Sequence, residues 1–254
     1  MIPKVIHYCW FGGNPLPDFA KKCIESWKKY LPDYEIKEWN ESNFDLNCCD
    51  YVKEAFESKK WAFVSDYARF WILYNYGGIY FDTDVEVIND MKDIIALGAF
   101  MGCEIVDKCA PGLSLYKEIL DNYNNIHFVV NSDQIPTVVE YTTTILKKHG
   151  WTGENKITKV EGITIYPPEY FCPYNIISGE FNITKHTVSI HHYAATWLSS
   201  LDKVIANIER CDEKKHPISY KFRRVISFPL RIINKLEKIG LYKTLLVIKN
   251  KLHN

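Results

Sequence analysis

A chain of 254 residues, 47 % hydrophobic and 24 % charged, is long and apolar enough to bury a core without disulfide or metal staples, as one large domain or one domain with an appendage. Its 31 basic and 31 acidic side chains cancel, which excludes a global field drawing it to nucleic acid or to an acidic polymer; any electrostatic preference has to be local. The aromatic share of 15 % suits a core, sugar rings and nucleobases alike.

In chain order, Met1-Ile2-Pro3-Lys4 leads into Val5-Ile6-His7-Tyr8-Cys9-Trp10-Phe11. This β-branched and aromatic run, closed by Gly12-Gly13-Asn14-Pro15, predicts a buried first strand and a turn. Residues 18–30 carry Phe19, Cys23, Ile24 and Trp27 at helical spacing with lysines opposite, and 34–39 alternate as a strand. Such a strand-helix-strand opening is the signature of an α/β domain with a parallel sheet. From Lys60 to Leu73, Trp61, Val64, Ala68, Trp71 and Ile72 recur at three- and four-residue steps, predicting a helix ended by Asn75-Tyr76-Gly77-Gly78. Ile79-Tyr80-Phe81 then reads as a short strand running into Asp82-Thr83-Asp84. Residues 98–106 are expected as the next strand, 135–149 as a helix, and 187–193 as a strand that delivers His191 and His192 to its tip. Across 218–251 lysines and arginines face a single acid, Glu237, and alternate with aliphatic residues, so one or two amphipathic helices are expected.

Asp82 and Asp84, one residue apart at the end of a buried strand, should point to the same side of the pleat. Two hard oxygen donors so placed suit Mg²⁺ or Mn²⁺ holding a diphosphate. Taken alone, an Asp-X-Asp triplet is more often a solvated loop. Asp66 and Arg69 share one helical face and can reach one ligand, the carboxylate toward sugar or ribose hydroxyls and the guanidinium toward a hydroxyl or phosphate. Taken alone, they would be a surface salt bridge.

Together, Ser65-Asp66-Tyr67-Ala68-Arg69 followed by Gly77-Gly78-Ile79-Tyr80-Phe81-Asp82-Thr83-Asp84 resembles the Asp-X-Asp glycosyltransferase family. That family includes the fungal Golgi α-1,6-mannosyltransferases, the vertebrate α-1,4-galactosyltransferases and, more distantly, the clostridial glucosylating toxins. The resemblance implies a GT-A type α/β fold with a Rossmann-like mixed central sheet flanked by helices over residues 1–205, and a basic helical appendage over 206–254. It also implies a site in which Ser65, Asp66, Arg69, Tyr80 and Asp82 bind the donor and Asp82 and Asp84 bind the metal. Ile6 to Gly13 looks like the family's first strand, whose tryptophan stacks on the nucleobase, a role that falls on Trp10. Tyr166 to Pro173 is similar to a stretch of bacterial capsule members. Ile190-His191-His192-Tyr193, with Thr196-Trp197, resembles the motif that closes the metal and diphosphate site. In a strand the two histidines face opposite ways, so only one can bind metal. The place just before an aromatic favours His192, with His191 second, and Trp197 would donate its indole N–H to a phosphate oxygen.

The implied activity is a metal-dependent, retaining transfer of a hexose from a nucleotide sugar, UDP-galactose favoured, to a saccharide acceptor on polyprenyl diphosphate, in bacterial capsule or lipopolysaccharide synthesis. No nucleophile stands out: Asp133 and Gln134 are the nearest candidates, and a polar loop capping the following helix accounts for them as well. The eight cysteines show no metal or disulfide spacing, and the start of the chain shows no secretory signal. No apolar stretch approaches the ~20 residues that span a bilayer. A cytoplasmic enzyme is therefore expected, held by its basic C-terminal region at the inner face of the cytoplasmic membrane. A helix packed back on the domain with solvated lysines is the competing reading. Two other classes would use the same carboxylates: a catalytically silent nucleotide-sugar-binding protein and a nucleotidyltransferase. The second is disfavoured because no basic residue follows Gly12-Gly13 until Lys21.

Overall fold

The structure, a computed structural model, describes residues 2–102, 106–129, 137–175, 180–194, 200–209 and 216–252. Its elements are β1 (Val5–Cys9), α1 (Asp18–Tyr30), β2 (Glu35–Trp39), α2 (Asp50–Glu57), α3 (Trp61–Tyr76), β3 (Gly78–Phe81), β4 (Val85–Val87), α4 (Lys92–Ala96), β5 (Phe100–Gly102) and β6 (Val106–Cys109). They continue with α5 (Ser114–Asn124), α6 (Val138–Lys148), β7 (Thr158–Val160), β8 (Ile163–Tyr166), α7 (Pro168–Phe171), β9 (Ser189–His191), α8 (Ser200–Glu209) and α9 (Pro217–Leu252). The chain divides by contact into two compact units, Met1–Tyr174 with Phe181–Tyr193, and Asn175–Glu180 with Ala194–Asn254.

In the first unit seven strands form one sheet in the order β2-β1-β3-β6-β5-β8-β7. β1 pairs in parallel with both β2 and β3, as the strand-helix-strand opening predicts. β6 then enters antiparallel to β3 and β5, which makes the sheet mixed. Period-two alternation distributes the side chains: Ile79 and Phe81 join a cluster with Cys23 and Trp27 of α1, whereas Tyr80 joins Val64, Ala68, Tyr116 and Leu146 on the other face. Helices therefore cover both faces of the expected mixed sheet.

α1 forms where expected because Ala20, Cys23, Ile24 and Trp27 make one buried stripe, with Asp18 in the first turn and Lys28 and Lys29 in the last complementing the helix dipole. α3 buries most of its circumference, Val64, Tyr67, Ala68, Phe70, Ile72 and Leu73 among others, which is the pattern of a helix inside a core. The predicted strand at 98–106 appears as β5 over Phe100–Gly102, with 103–105 outside the described residues. α2, α5 and the β7–β8 hairpin were not legible as elements in the sequence.

In the second unit α8 packs on α9, with an ion pair of 3.2 Å between Glu209 and Arg231 and a hydrogen bond from the Ser227 hydroxyl to Glu209. α9 runs unbroken through Pro229. Ile218, Phe222 and Val225 on its first turns are exposed. Among the described residues no helix is long and apolar enough to cross a membrane.

Candidate active site

The acidic site begins at the turn from α3 into β3. Gly77 and Gly78 have φ of +64° and +99°, and a Cβ there would come within 2.8 Å of the Cys109 carbonyl oxygen and 2.6 Å of the Val5 carbonyl oxygen, respectively. Only glycine lets the chain turn this tightly while β3 lies against β1. His7 of β1 secures the turn from below, its Nε2 lying 3.0 Å from the Gly77 carbonyl oxygen. The Trp39 indole donates to His7 Nδ1 at 3.1 Å, so the neutral tautomer protonated on Nε2 satisfies both contacts. Burial pushes the His7 imidazole down to about 4 and keeps it neutral.

The turn aims α3 at the end of β3. Arg69 is 4 % exposed, and its guanidinium donates to Asp82 at 3.1 Å and to Asp66 at 3.2 Å. Beneath it lies the Tyr80 ring, 4.9 Å from the guanidinium carbon. Burial opposes the Arg69 charge, but Asp82 ahead of its other anionic neighbours holds the guanidinium well above its ordinary range. Burial pushes Asp66 up to about 7 against the pull of Arg69, and it raises Asp82 against the same pull, with Asp84 adding repulsion. These acids outnumber their fixed cation.

Asp82-Thr83-Asp84 is a tight turn rather than a continuing pleat, with Val85 N–H donating to the Asp82 carbonyl at 3.0 Å. The two carboxylates thus meet through a turn, which corrects the expectation of a shared strand face. β4 holds Asp84 from the other side: the Trp27 indole donates to the Val85 carbonyl at 2.7 Å, and Val87 N–H donates to Ser26 Oγ at 2.9 Å. β4 pairs antiparallel with β9, with Val85 opposite His191.

That register decides between the histidines. His191 Nε2 lies 3.2 Å from Asp84 Oδ1, and the ligand atoms of Asp82, Asp84 and His191 all lie within 4.8 Å of one another. His192 turns away to Glu86, 2.8 Å from its Nε2, and meets the Phe19 ring edge-on. The geometry thus sets His191, the second choice, against the carboxylates, because the residue paired with Val85 faces them, while the preferred His192 faces outward. Burial disfavours charge on His191, yet its hydrogen bond to Asp84 pushes the imidazole up to about 10. Two carboxylates and an imidazole, in a pocket whose own charge is short of cations, fit a divalent ion of the Mn²⁺ or Mg²⁺ kind.

The other expected donor contacts are placed as follows. Tyr80 is 1 % exposed; its ring lies under the Arg69 guanidinium and its side chain hydrogen-bonds Asp82. Ser65 spends its hydroxyl on the Trp61 carbonyl at 3.1 Å, within its own helix. Trp10 stands half-buried just beyond β1, its indole donating to the Asn14 carbonyl at 2.6 Å. Trp197, Thr196, Asp133 and Gln134 lie outside the described residues. Asp107 on β6 was missed by sequence reasoning. It is 4 % exposed and feels the charge of Arg69, and the signal that could have found it is Asp107-Lys108 inside an otherwise apolar strand.

An α/β protein with a carboxylate and imidazole cluster at the carboxyl end of its parallel strands is the class that this fold and site define. Residues 17–100 match the family described as "Glycosyltransferase sugar-binding region containing DXD motif". It is 31 % identical over 106 residues to an uncharacterized glycosyltransferase of Acanthamoeba polyphaga mimivirus, covering 39 % of this chain and 42 % of that protein. It is 36 % identical over 92 residues to inositol phosphoceramide mannosyltransferase 3 of Schizosaccharomyces pombe, covering 33 % of this chain and 24 % of that protein. The chain thus spans less than half the length of these curated relatives. Two solved structures are also similar. One is PaToxG glycosyltransferase, with a TM-score of 0.44 and 17 % identity, covering 58 % of this chain and 69 % of that chain. The other is a glycosyltransferase involved in the glycosylation of the major capsid of PBCV-1, with a TM-score of 0.43 and 12 % identity, covering 76 % of this chain and 95 % of that chain.

Proposed function

We propose that this chain is a metal-dependent glycosyltransferase of the GT-A type that moves a hexose from a nucleotide sugar to a saccharide acceptor. The observation that carries the reading is the convergence of Asp82, Asp84 and His191 beside the Asp66–Arg69–Asp82 ion pairs, at the carboxyl ends of β1 and β3. Asp82, Asp84 and His191 would hold the cation, which when bound supplies charge neutralisation for a departing nucleoside diphosphate. His191 has to release its proton before it can serve as a ligand. Arg69, fixed by two carboxylates and by Tyr80, keeps Asp66 and Asp82 oriented before any sugar arrives, so little reorganisation remains for the reaction. Asp66, near half protonation at neutral pH, can either donate to or accept from a sugar hydroxyl. Trp10, at the carboxyl end of β1, is our candidate for stacking on the base.

Several finer parts of the reading are proposals on the same footing. We assign catalysis to residues 1–205 and membrane docking to 206–254. Retention of anomeric configuration follows the family that the motifs resemble, and UDP-galactose is the first donor to test. The acceptor we infer is a saccharide on a polyprenyl diphosphate of bacterial surface-polysaccharide synthesis, at the inner face of the cytoplasmic membrane. Its support is the lipid in the name of the yeast relative, inositol phosphoceramide, together with the exposed apolar residues of α9. A panel of nucleotide sugars, assayed with Mn²⁺ for release of nucleoside diphosphate, tests the core claim. Release should require the metal, stop with EDTA and be absent in Asp84→Ala. A folded protein that binds a nucleotide sugar yet turns none over would be the silent binding protein instead.

A further inference from the structure

The cysteines among the described residues fall into two groups. Cys9, Cys23, Cys109 and Cys172 are buried, whereas Cys48 and Cys49 are half-buried, side by side at the entry to α2. Burial pushes the Cys9 and Cys23 thiols up to about 12, which keeps them protonated and unreactive. The adjacent pair stands in a different setting.

The chain fixes the pair from both sides. Cys48 N–H donates to the Asp45 carbonyl at 3.3 Å, and the Cys49 carbonyl accepts the first bond of α2 from Lys53 N–H at 3.2 Å. Cys49 is therefore the N-cap residue, with extended backbone at φ −160° and ψ +162°. A serine or aspartate at this place would set an oxygen on the first N–H groups of the helix, whereas the Cys49 side chain makes no capping bond. The Tyr51 and Val52 N–H groups have no acceptor within the helix and lie at its positive end, so they favour an anion on the Cys49 sulfur. Asp50 in the first turn opposes this, but it is exposed and its charge is screened. The two thiols hydrogen-bond each other, and the Tyr67 hydroxyl of α3, which donates to Asn124 at 3.3 Å, reaches both. Two sulfurs so joined titrate as a pair, and the helix end decides which one carries the charge. The bond from Cys48 holds Cys49 below the ordinary thiol range, and the same bond, with burial, holds Cys48 well above it.

Geometry also selects the oxidised product. The peptide between the two residues is trans, which sets their Cα atoms about 3.8 Å apart, and ordinary disulfides need roughly 4.4–6.8 Å. Closing the pair on itself is therefore strained, whereas a mixed disulfide with a small thiol meets no such constraint.

We propose that Cys49 is an S-thiolation site that takes one half of a low-molecular-weight disulfide, with Cys48 as the neighbour that holds the attacking sulfur ready. The Cys49 thiolate attacks one sulfur of the small disulfide. A new S–S bond forms on Cys49 as the small molecule's own S–S bond breaks, and the departing thiolate takes up a proton from water. Excess free thiol reverses the exchange and restores Cys49. The inference is independent of the glycosyltransferase reading and of the acidic site.

The test uses full-length protein with glutathione disulfide at pH 6.5, where an ordinary thiol is only about 1 % thiolate. Adducts are placed and timed by tandem mass spectrometry, in native buffer and in urea. In the native protein the adduct should form on Cys49 at least about 10-fold faster than on Cys48, Cys9, Cys23, Cys109 or Cys172, and the preference should vanish in urea. Cys48→Ala should slow the Cys49 reaction about 5-fold, because the loss of thiolate is partly offset by the greater nucleophilicity of a more basic sulfur. Cys49→Ser supplies a better cap, so it should keep its melting temperature and lose the fast adduct. Equal rates at Cys48 and Cys49, a Cys49 rate no faster than that of the buried four, or an unchanged rate in a folded Cys48→Ala protein overturns the proposal. An oxidised Cys48–Cys49 pair carrying no glutathione overturns it too, since ring closure would then be the favoured product. The comparison of sites within the wild-type protein stands whether or not either variant folds.

Discussion

Arg69 shows how one buried side chain can organise a site through its neighbours. Its two short contacts to Asp66 and Asp82 are nearly dry, so removing it leaves two carboxylates facing each other with no counter-charge. Arg69→Ala should therefore destabilise the protein by about 3–5 kcal/mol, as breaking a buried pair does elsewhere. Urea denaturation measures this, and a loss below about 1 kcal/mol would mean that the acids simply take up protons. The two histidines give a sharper test. His191→Ala should weaken Mn²⁺ binding by more than the roughly 10–100-fold that loss of an outer-sphere partner costs, and His192→Ala should leave it nearly unchanged. Isothermal titration with Mn²⁺ reads both, and the reverse ranking would return the ligand role to His192.

At the scale of elements, the turn from α3 into β3 depends on a neutral His7 below it. Protonating Nδ1 would set a proton against the Trp39 indole N–H, and burial already holds the pKa near 4 where the unfolded chain titrates near 6.5. Between those values the unfolded chain binds more protons than the native one, so this histidine makes stability fall as pH drops through that window. The shift corresponds to about 3 kcal/mol by pH 4. His7→Gln should flatten that part of the stability curve, measured by denaturation from pH 7 to pH 4, and a variant with the same slope as wild type would assign the pH dependence elsewhere. β1, α1, β2, α3 and β3 were legible in the sequence because their apolar residues repeat at the period of the element that buries them. α2, α5 and the β7–β8 hairpin were not, being short segments whose identity is settled by what they pack against.

Across the whole molecule, the proposed division of labour puts chemistry in the sheet-centred unit and attachment in the basic helices. Ile218, Phe222 and Val225 are exposed at 85 %, 64 % and 70 %, at the spacing of one helical stripe, with Lys221, Arg223 and Arg224 between them. Buried aliphatic area and about 1 kcal/mol per basic residue near an anionic surface would hold such a helix on a bilayer. Full-length protein should float with vesicles containing anionic lipid, and the double variant Phe222→Glu with Val225→Glu should stay in solution with nucleotide binding intact. Wild type that fails to float removes the membrane part of the proposal and leaves the enzymatic part standing.

The sequence by itself determined the parallel β1–β2 opening, the helix before the Gly-Gly turn, and the shared helical face of Asp66 and Arg69. Each of these is set by local spacing: a period of two or of 3.6, or a separation of three residues on one helical face. Only the tertiary structure decided that His191 meets Asp84, that Tyr80 lies beneath Arg69, and that Asp107 opens onto a cavity. Those outcomes hang on strand registers, β9 on β4 and β6 on β3, between segments far apart in the chain. A slip of one residue in either pairing would exchange His191 for His192 or turn Asp107 to the other face, and register is chosen by the packing of both sheet faces rather than by any single segment.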